Sequence, residues 1–212
     1  MKALVITGDI MESRKLPSHR IRDKLLSAIH HVNRKYQQLI YAPFSIVKGD
    51  EIAGVLQDIP DSYKVIRSLQ LRVHPLELRI AAVFDEIDAL EEKRDVSLIG
   101  GRAFWIADEI LQYLKKRDLY IRFRLFEDSR RNIIVSYIAN LISLSIYRWK
   151  EKELRAVMLY LKFKNQMAVA EHLGISQPAV SKILRKTGWK IVWRNMRLVN
   201  FLINHWHSRE IL

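Results

Sequence analysis

Three carboxylates in the N-terminal half of the sequence have the residue types and spacing to hold a divalent cation. Asp9 follows a continuous apolar run, and Asp50 and Glu51 follow Lys48-Gly49, a combination typical of a hairpin tip. If the hairpin lies beside the first strand, these carboxylates converge, and two of them with water could hold Mg²⁺ against a polyphosphate. Turn chemistry alone also accounts for Asp and Gly at such places. The sequence therefore leaves two interpretations open, a Mg²⁺ site and ordinary turns.

Side chains next to these carboxylates could contact phosphate. Ser13 and Arg14 follow Asp9 closely, and Lys48 precedes the hairpin tip. A hydroxyl and two cations are suitable donors to phosphate oxygens. We therefore predict Ser13, Arg14 and Lys48 as nucleotide- or phosphate-binding residues, with Mg²⁺ as the candidate cofactor.

A second group of residues, at 166–185, has the pattern of a helix-turn-helix. Gly174 permits a sharp turn with positive φ, Ser176 can cap a second helix, and Pro178 suits the first turn of that helix. Apolar positions would fill the space between the helices, while a polar and basic face points outward to a major groove. The predicted DNA-binding residues are Ser176, Gln177, Ser181, Lys182, Arg185 and Lys186.

This stretch resembles the helix-turn-helix of many bacterial transcription regulators and sigma-factor-like domains. The resemblance implies double-stranded DNA as a partner. The alternative is an ordinary helical hairpin that packs against another part of the protein.

The composition also favours a polyanion as partner. The 212 residues include 36 Lys and Arg against 23 Asp and Glu, a formal net charge of +13. Residues 151–212 hold eleven of the basic residues and four of the acidic ones, so the charge is densest around the predicted helix-turn-helix. The sequence has no cysteine, which excludes disulfides, thiolate zinc sites and thiol nucleophiles.

The apolar segments are too short to indicate a membrane protein. The longest, at 133–147, cannot span a bilayer and contains Asn and Ser. Asp9 interrupts the N-terminal apolar run before a signal-peptide core could form. We expect a cytoplasmic protein with no membrane partner.

Hydrophobic periodicity predicts an alternating N-terminal part. The predicted order is β-α-β-β-α-β-α-β, which favours one mixed sheet with helices on one or both faces. Pro43 is predicted to stop the first helix, which starts at Ser18 and has apolar positions as far as Ile40. The charged stretch Asp85–Asp95 is interpreted as a solvated loop or helix end. The predicted strands are Ala3–Thr7, Phe44–Lys48, Ile52–Gln57, Leu78–Phe84 and Tyr120–Phe126, and the further helices are Ser62–Leu71 and a helix from Gly100-Gly101 through Lys116.

From Asp128 onward the sequence is predicted to be helical. Asn132–Trp149 is apolar almost all round, apart from a narrow stripe at Ser136, Asn140 and Ser143. Such a helix must be buried on most sides, either between domains or in a dimer interface, and we expect a homodimer built on it. The predicted division is a sheet domain at 1–127, a connecting or dimerisation helix at 128–150 and a helix-turn-helix domain at 151–212.

The N-terminal motifs resemble the palm-like fold of class III nucleotide cyclases and of diguanylate cyclases. In class III cyclases, an Asp-Ile after the first strand and a Lys-x-x-Gly-Asp hairpin supply the metal ligands, as Asp9-Ile10 and Asp50 would here. Residues 101–107 also resemble a helix of these cyclases. However, Trp105 replaces its Asn, and Glu109 replaces the Arg that steadies the transition state. Without that cation the reaction loses its largest electrostatic term, so we expect a vestigial or nucleotide-binding palm rather than an active cyclase.

Taken together, the motifs are similar to those of the bacterial SatD family over nearly the whole chain. They are Val5-Ile6-Thr7-Gly8-Asp9-Ile10 with Ser13-Arg14, Lys48-Gly49-Asp50-Glu51, Gly101-x-Ala103-Phe104 and the C-terminal helix-turn-helix. The resemblance implies an α+β architecture, with an N-terminal palm-like mixed sheet followed by an all-α helix-turn-helix domain.

The leading functional hypothesis is a bacterial DNA-binding protein, a transcription regulator whose N-terminal domain binds a nucleotide or once processed one. The first alternative is a Mg²⁺-dependent nucleotide-binding enzyme, or its inactive relative, with an auxiliary DNA-binding tail. The second is an interaction protein whose basic helices meet RNA or an acidic partner.

Overall fold

The computed structural model describes residues 1–88 and 95–210, the last of these in its backbone alone. Within these ranges the chain forms five strands and eight α-helices, with short 3-10 helices at Ser13–Lys15 and Val96–Leu98. The strands are β1 (Lys2–Ile10), β2 (Ile40–Lys48), β3 (Glu51–Leu56), β4 (Leu78–Glu86) and β5 (Ile121–Arg124). The helices are α1 (Ser18–Lys35), α2 (Ser62–Val73), α3 (Arg102–Arg117), α4 (Ser129–Tyr147), α5 (Glu151–Phe163), α6 (Gln166–Leu173), α7 (Gln177–Lys186) and α8 (Trp189–Glu210).

The five strands form one mixed sheet in the order β2-β3-β1-β4-β5. β1 pairs antiparallel with both β3 and β4, while β5 runs parallel to β4. A central strand is covered on both faces, which explains why β1 is a continuous apolar run rather than an alternating one. The α+β class and the predicted order of elements are confirmed.

Alternate residues of β1 enter two different cores, as the pleat requires. Leu4 and Ile6 belong to a core shared with α1, α2, α4 and the C-terminal helices. Ala3 and Val5 belong to a smaller core that α3 covers. The sheet therefore has helices on both faces.

The polar stripe of α4 covers the edge of the sheet that β5 forms. The Asn140 Oδ1 accepts hydrogen bonds from the backbone N–H groups of Tyr120 and Ile121, at 2.8 and 3.2 Å. Ser136 Oγ accepts one from Phe123 N–H at 3.0 Å, and Asn132 Oδ1 accepts from the N–H groups of Leu125 and Phe126. An uncovered edge strand would leave these groups unpaired and open to association with another chain. The stripe predicted on this helix therefore has a structural role.

The C-terminal helices pack onto the sheet domain. The apolar core that begins under the sheet continues through Val157, Val180 and Val199. Helix α8 is also tied to the start of α2, because Asn200 and Asn204 each donate a hydrogen bond to Asp61 Oδ1 at 3.1 Å.

The first helix ends earlier than its apolar periodicity predicted. α1 stops at Lys35, and Pro43 lies inside β2 instead of terminating the helix. β2 is an edge strand whose register shifts between Ile40 and Ala42 and again before Ser45. Edge strands and bulges are the places where a sheet tolerates a residue that lacks a backbone N–H, so Pro43 fits there.

Two further predictions concern the charged stretch Asp85–Asp95 and the absence of a membrane-spanning segment. In the charged stretch, Asp85 and Glu86 belong to β4, whereas residues 89–94 lie outside the described residues. In the described part of the chain, none of the helices combines the length and the hydropathy needed to cross a membrane.

Candidate functional site

Helices α6 and α7 are joined by a three-residue turn whose local signals were visible in the sequence. Gly174 ends α6 with a φ of +62°, which favours glycine. Ser176 caps α7, because its Oγ accepts a hydrogen bond from the N–H of Ala179 at 3.4 Å, and Pro178 occupies the first turn. Val169 of α6 and Val180 of α7 are fully buried between the helices and the rest of the core.

The outward face of α7 carries three polar residues that are free to contact a partner. Ser181, Lys182 and Arg185 are exposed, and their side chains make no hydrogen bond or ion pair with any described residue. Their spacing places them on neighbouring positions of one helical face. This face offers one hydroxyl and two cations to solvent.

Two other predicted DNA-binding residues are already engaged within the protein. Gln177 Nε2 donates to Gln166 Oε1 of α6 at 2.6 Å. Lys186 Nζ donates to Glu153 Oε1 of α5 at 2.7 Å, and the Glu153 side chain is only 6% exposed. Lys186 therefore ties α7 to α5, so it is a structural residue as well as a candidate phosphate contact.

The ion pair and a helix cap control the charge of Glu153. Burial raises the pKa of this carboxyl, but hydrogen bonds from Lys186 and from the backbone N–H of Lys150 outweigh it, and the pKa lies below the ordinary glutamate value. Glu153 is thus ionised at neutral pH and attracts Lys186 to the start of α5.

Asp9 is buried at the end of β1 between two cations. Its Oδ1 lies 3.4 Å from a guanidinium nitrogen of Arg79 on β4, and its Oδ2 lies 2.8 Å from Lys115 Nζ on α3. Arg79 also donates to the backbone oxygen of Leu119. The charge of the carboxylate is therefore compensated by protein groups, which makes Asp9 a poor ligand for a resident Mg²⁺ in this arrangement.

The sheet places the other predicted metal ligands near Asp9 without forming a ligand cluster. Gly8 pairs with Ile52 across β1 and β3, so Glu51 and Asp9 are the next residues outward on adjacent strands. Asp50 is at the hairpin tip with Gly49, whose φ is +57°. Among the described residues, no group of three or more His, Cys, Asp or Glu side chains is placed to hold a metal ion. The Mg²⁺ site of two carboxylates and water stays a prediction.

The predicted phosphate-binding residues are dispersed around this end of the sheet. Ser13 and Arg14 lie in the short 3-10 helix after β1, and Lys48 ends β2 opposite Glu51. In the described part of the chain, their side chains make no hydrogen bond or ion pair with Asp9 or with one another. They stay candidate phosphate contacts.

Sequence reasoning missed the charged partners of two predicted site residues. Asp9 pairs with Arg79 and Lys115, and Lys186 pairs with Glu153. Arg79 stands inside the apolar strand β4, and a charge within a buried run is a signal that a buried counter-charge exists. Lys115 and Glu153 gave no such signal, because each lies on a helix with other charged residues. Only the packing of α3 and of α5 brings them to their partners.

These elements define a class of protein: a five-stranded α+β sheet domain that packs against four C-terminal helices, one of which presents a basic face. The SatD family model matches residues 3–203, and the chain therefore belongs to the SatD family. No curated protein matches the sequence.

Two solved structures are similar to part of this chain. A bacterial light-regulated adenylyl cyclase has 13% sequence identity and a TM-score of 0.39, with 57% of this chain and 74% of that chain covered. A guanylyl cyclase has 14% identity and a TM-score of 0.33, with 53% and 70% covered. At such TM-scores the likeness carries no argument about activity.

Proposed function

We propose that this protein binds double-stranded DNA through α7 and acts as a cytoplasmic bacterial transcription regulator. The observation that carries the proposal is the exposed face of α7, where Ser181, Lys182 and Arg185 have no partner among the described residues. The opposite side of the same helix is buried at Val180 and Leu184. A short helix that is held by its apolar side and free on its basic side has the form of a recognition helix in a helix-turn-helix.

Each free side chain has a natural target in a major groove. The Arg185 guanidinium can pair with the two acceptors of a guanine, and the Ser181 hydroxyl can donate to or accept from several base edges. Lys182 is suited to a phosphate. Gln177 and Lys186 would first have to leave Gln166 and Glu153, so we assign them a smaller share of the binding energy than the sequence alone suggested.

Selection of bound sequences from a random pool of DNA duplexes tests this proposal. The wild-type protein should enrich a defined site, and Arg185→Ala should weaken binding to that site by about 1–3 kcal/mol and relax the preference at one base pair. Lys116→Ala, an exposed cation on α3, is the matched control and should retain the wild-type preference. Failure to enrich any duplex, or preferential binding of single-stranded RNA, would contradict the proposal.

We propose in addition that the protein is a homodimer built on α4. The polar stripe of α4 faces the sheet edge, so the opposite face is left to solvent with Ile133, Ile134, Tyr137 and Leu141 exposed by 46–65%. Four large apolar side chains on one helical face are costly to leave in water. A two-fold dimer would cover them and would present two copies of α7 to two half-sites.

The alternative, a Mg²⁺-dependent nucleotide-binding enzyme, has weaker support, because Arg79 and Lys115 already compensate Asp9. It makes a distinct prediction. A purine nucleoside triphosphate should raise the melting temperature only in the presence of Mg²⁺, and Asp50→Asn should abolish that rise.

A further inference from the structure

A large cationic cleft lies between part of the sheet domain and the C-terminal helices. It has a volume of about 1020 Å³, and it is bordered by α1 and α2 on one side and by α5, α7 and α8 on the other. Six cationic side chains line it against one carboxylate, that of Glu151. The six are Lys24, Lys35, Arg67, Arg72, Lys152 and Arg155.

The charges in this cleft are mostly uncompensated. Of the six cations, only Lys24 pairs with a carboxylate in the described part of the chain, that of Glu151 at 3.5 Å. Arg72, Lys152 and Arg155 are exposed and make no ion pair with a described residue. Such a concentration of like charge in a concavity raises the local concentration of anions.

His31 lies among the same positive charges. His31 lines the cleft, and burial, together with the positive charges of Arg72, Lys35 and Arg34, lowers its pKa. An anion between these groups would relieve their mutual repulsion.

The apolar side chains that line the cleft, which we call its floor, are partly open to solvent. Met158 is 43% exposed and Ile175 is 38% exposed, although both lie in a concave surface. The Arg67 guanidinium lies over the ring of Trp193, 5.0 Å from its centroid, so that a flat cation and an aromatic ring line the same wall. Apolar and aromatic walls with a few charged groups are the usual lining of small-molecule sites.

We propose that this cleft binds a small organic phosphate, with its phosphoryl groups on the cationic side chains and a flat apolar group on the floor. A small ligand is favoured over a macromolecule because apolar and cationic side chains line the same concave surface, so one molecule with a phosphoryl and an apolar part can contact both. The cleft includes Ile183 of α7 and Leu173 of α6, so its occupant would lie against both helices of the proposed DNA-binding unit. The site itself does not depend on DNA binding.

Calorimetric titration of the full chain with ATP, tripolyphosphate and adenosine, in the presence of EDTA, tests the proposal. ATP should bind more tightly than tripolyphosphate, because only ATP can cover the apolar floor, and adenosine should bind more weakly than either. Arg72→Ala/Arg155→Ala should weaken ATP binding about tenfold, since charge-assisted contacts to phosphate are lost. Arg20→Ala/Lys116→Ala removes two exposed cations outside the cleft and should leave the affinity unchanged.

Several results would overturn the proposal. These are the absence of ATP binding at millimolar concentration, equal affinities for ATP and tripolyphosphate, or an unchanged affinity in Arg72→Ala/Arg155→Ala. Binding of an acidic peptide in place of the phosphates would also overturn it. A requirement for Mg²⁺ would move the site to the carboxylates near Asp9. None of these results depends on whether α7 binds DNA, so the two proposals fail separately.

Discussion

Asp9 shows how one buried carboxylate is held in place. It is 5% exposed, and its two oxygens face the guanidinium of Arg79 and the ammonium of Lys115. A buried charge is tolerated only when it is paired, and removing one partner leaves the other desolvated without compensation. The carboxylate therefore has a structural role whether or not a ligand approaches it.

Replacing Asp9 should therefore cost stability. Asp9→Asn leaves the buried Arg79 without its counter-charge, and we expect a loss of about 3 kcal/mol in the free energy of unfolding, measured by urea titration. Asp50→Asn, a matched change at the half-buried hairpin tip, should cost less than about 0.5 kcal/mol. Equal losses from the two variants would contradict a structural role for the buried pair.

At the level of single residues, the sequence predicted positions better than partners. The hairpin tip and the capping role of Ser176 follow from signals within a few residues, so local turn and capping rules find them. By contrast, β1 was predicted to end at Thr7 but continues to Ile10, so Asp9 lies inside the strand. The pairing of Asp9 with Arg79 joins positions 70 residues apart, and that of Glu153 with Lys186 joins two helices. Such contacts depend on how elements pack, which no local pattern encodes.

Among the elements, α4 both pairs with the edge of the sheet and packs into the core. Its Asn and Ser side chains pair with backbone groups of β5, while its apolar side chains enter the core on one side and face solvent on the other. The sequence predicted the polar stripe and the apolar surround, but the stripe proved to face the sheet edge. A stripe on a helix shows that polar partners exist, not which element supplies them.

Asn140→Ala should destabilise the protein by about 2–3 kcal/mol, because it removes the partners of two N–H groups and of the Ile121 carbonyl oxygen. Thermal or urea unfolding measures the change. Ser145→Ala on the same helix is the control. Among the described residues its hydroxyl donates only to the Leu141 carbonyl oxygen of α4, so the cost should stay below about 0.5 kcal/mol. A cost for Asn140→Ala no greater than that of the control would show that water replaces these bonds without loss.

The contact between α5 and α7 should make stability depend on pH. The pKa of Glu153 is lower in the folded protein than the ordinary glutamate pKa. The ionised carboxylate therefore adds to the free energy of unfolding above the ordinary glutamate pKa, and this stabilisation is lost as the pH falls through the pKa of the folded protein. Glu153→Gln should be less stable than the wild type by about 1 kcal/mol at pH 7, because Lys186 is largely exposed and solvent weakens the pair. The difference should shrink as the pH falls below about 4. A difference that is constant with pH would contradict this assignment.

For the molecule as a whole, the exposed apolar face of α4 is the surface on which we propose that two copies of the protein meet. We expect light scattering at tens of micromolar protein to give the mass of a dimer, and Tyr137→Glu/Leu141→Glu to give a monomer that still folds, since both side chains are more than 60% exposed. Leu98→Glu, an exposed apolar residue by β2 and β3 at the other edge of the sheet, should leave the dimer intact. A wild-type monomer at this concentration would end the dimer proposal.

The salt dependence of duplex DNA binding tests the central claim, that α7 is the DNA-contacting helix, most directly. The logarithm of the affinity should fall linearly with the logarithm of the salt concentration, and Lys182→Ala should weaken binding to all duplexes alike and reduce that slope by about one unit, because one phosphate contact is lost. Lys116→Ala, an exposed cation on α3, should keep the wild-type slope. If the wild-type protein does not bind duplex DNA at low salt, or if Lys182→Ala has the same affinity and slope as the wild type, α7 does not contact DNA and the proposed function is wrong.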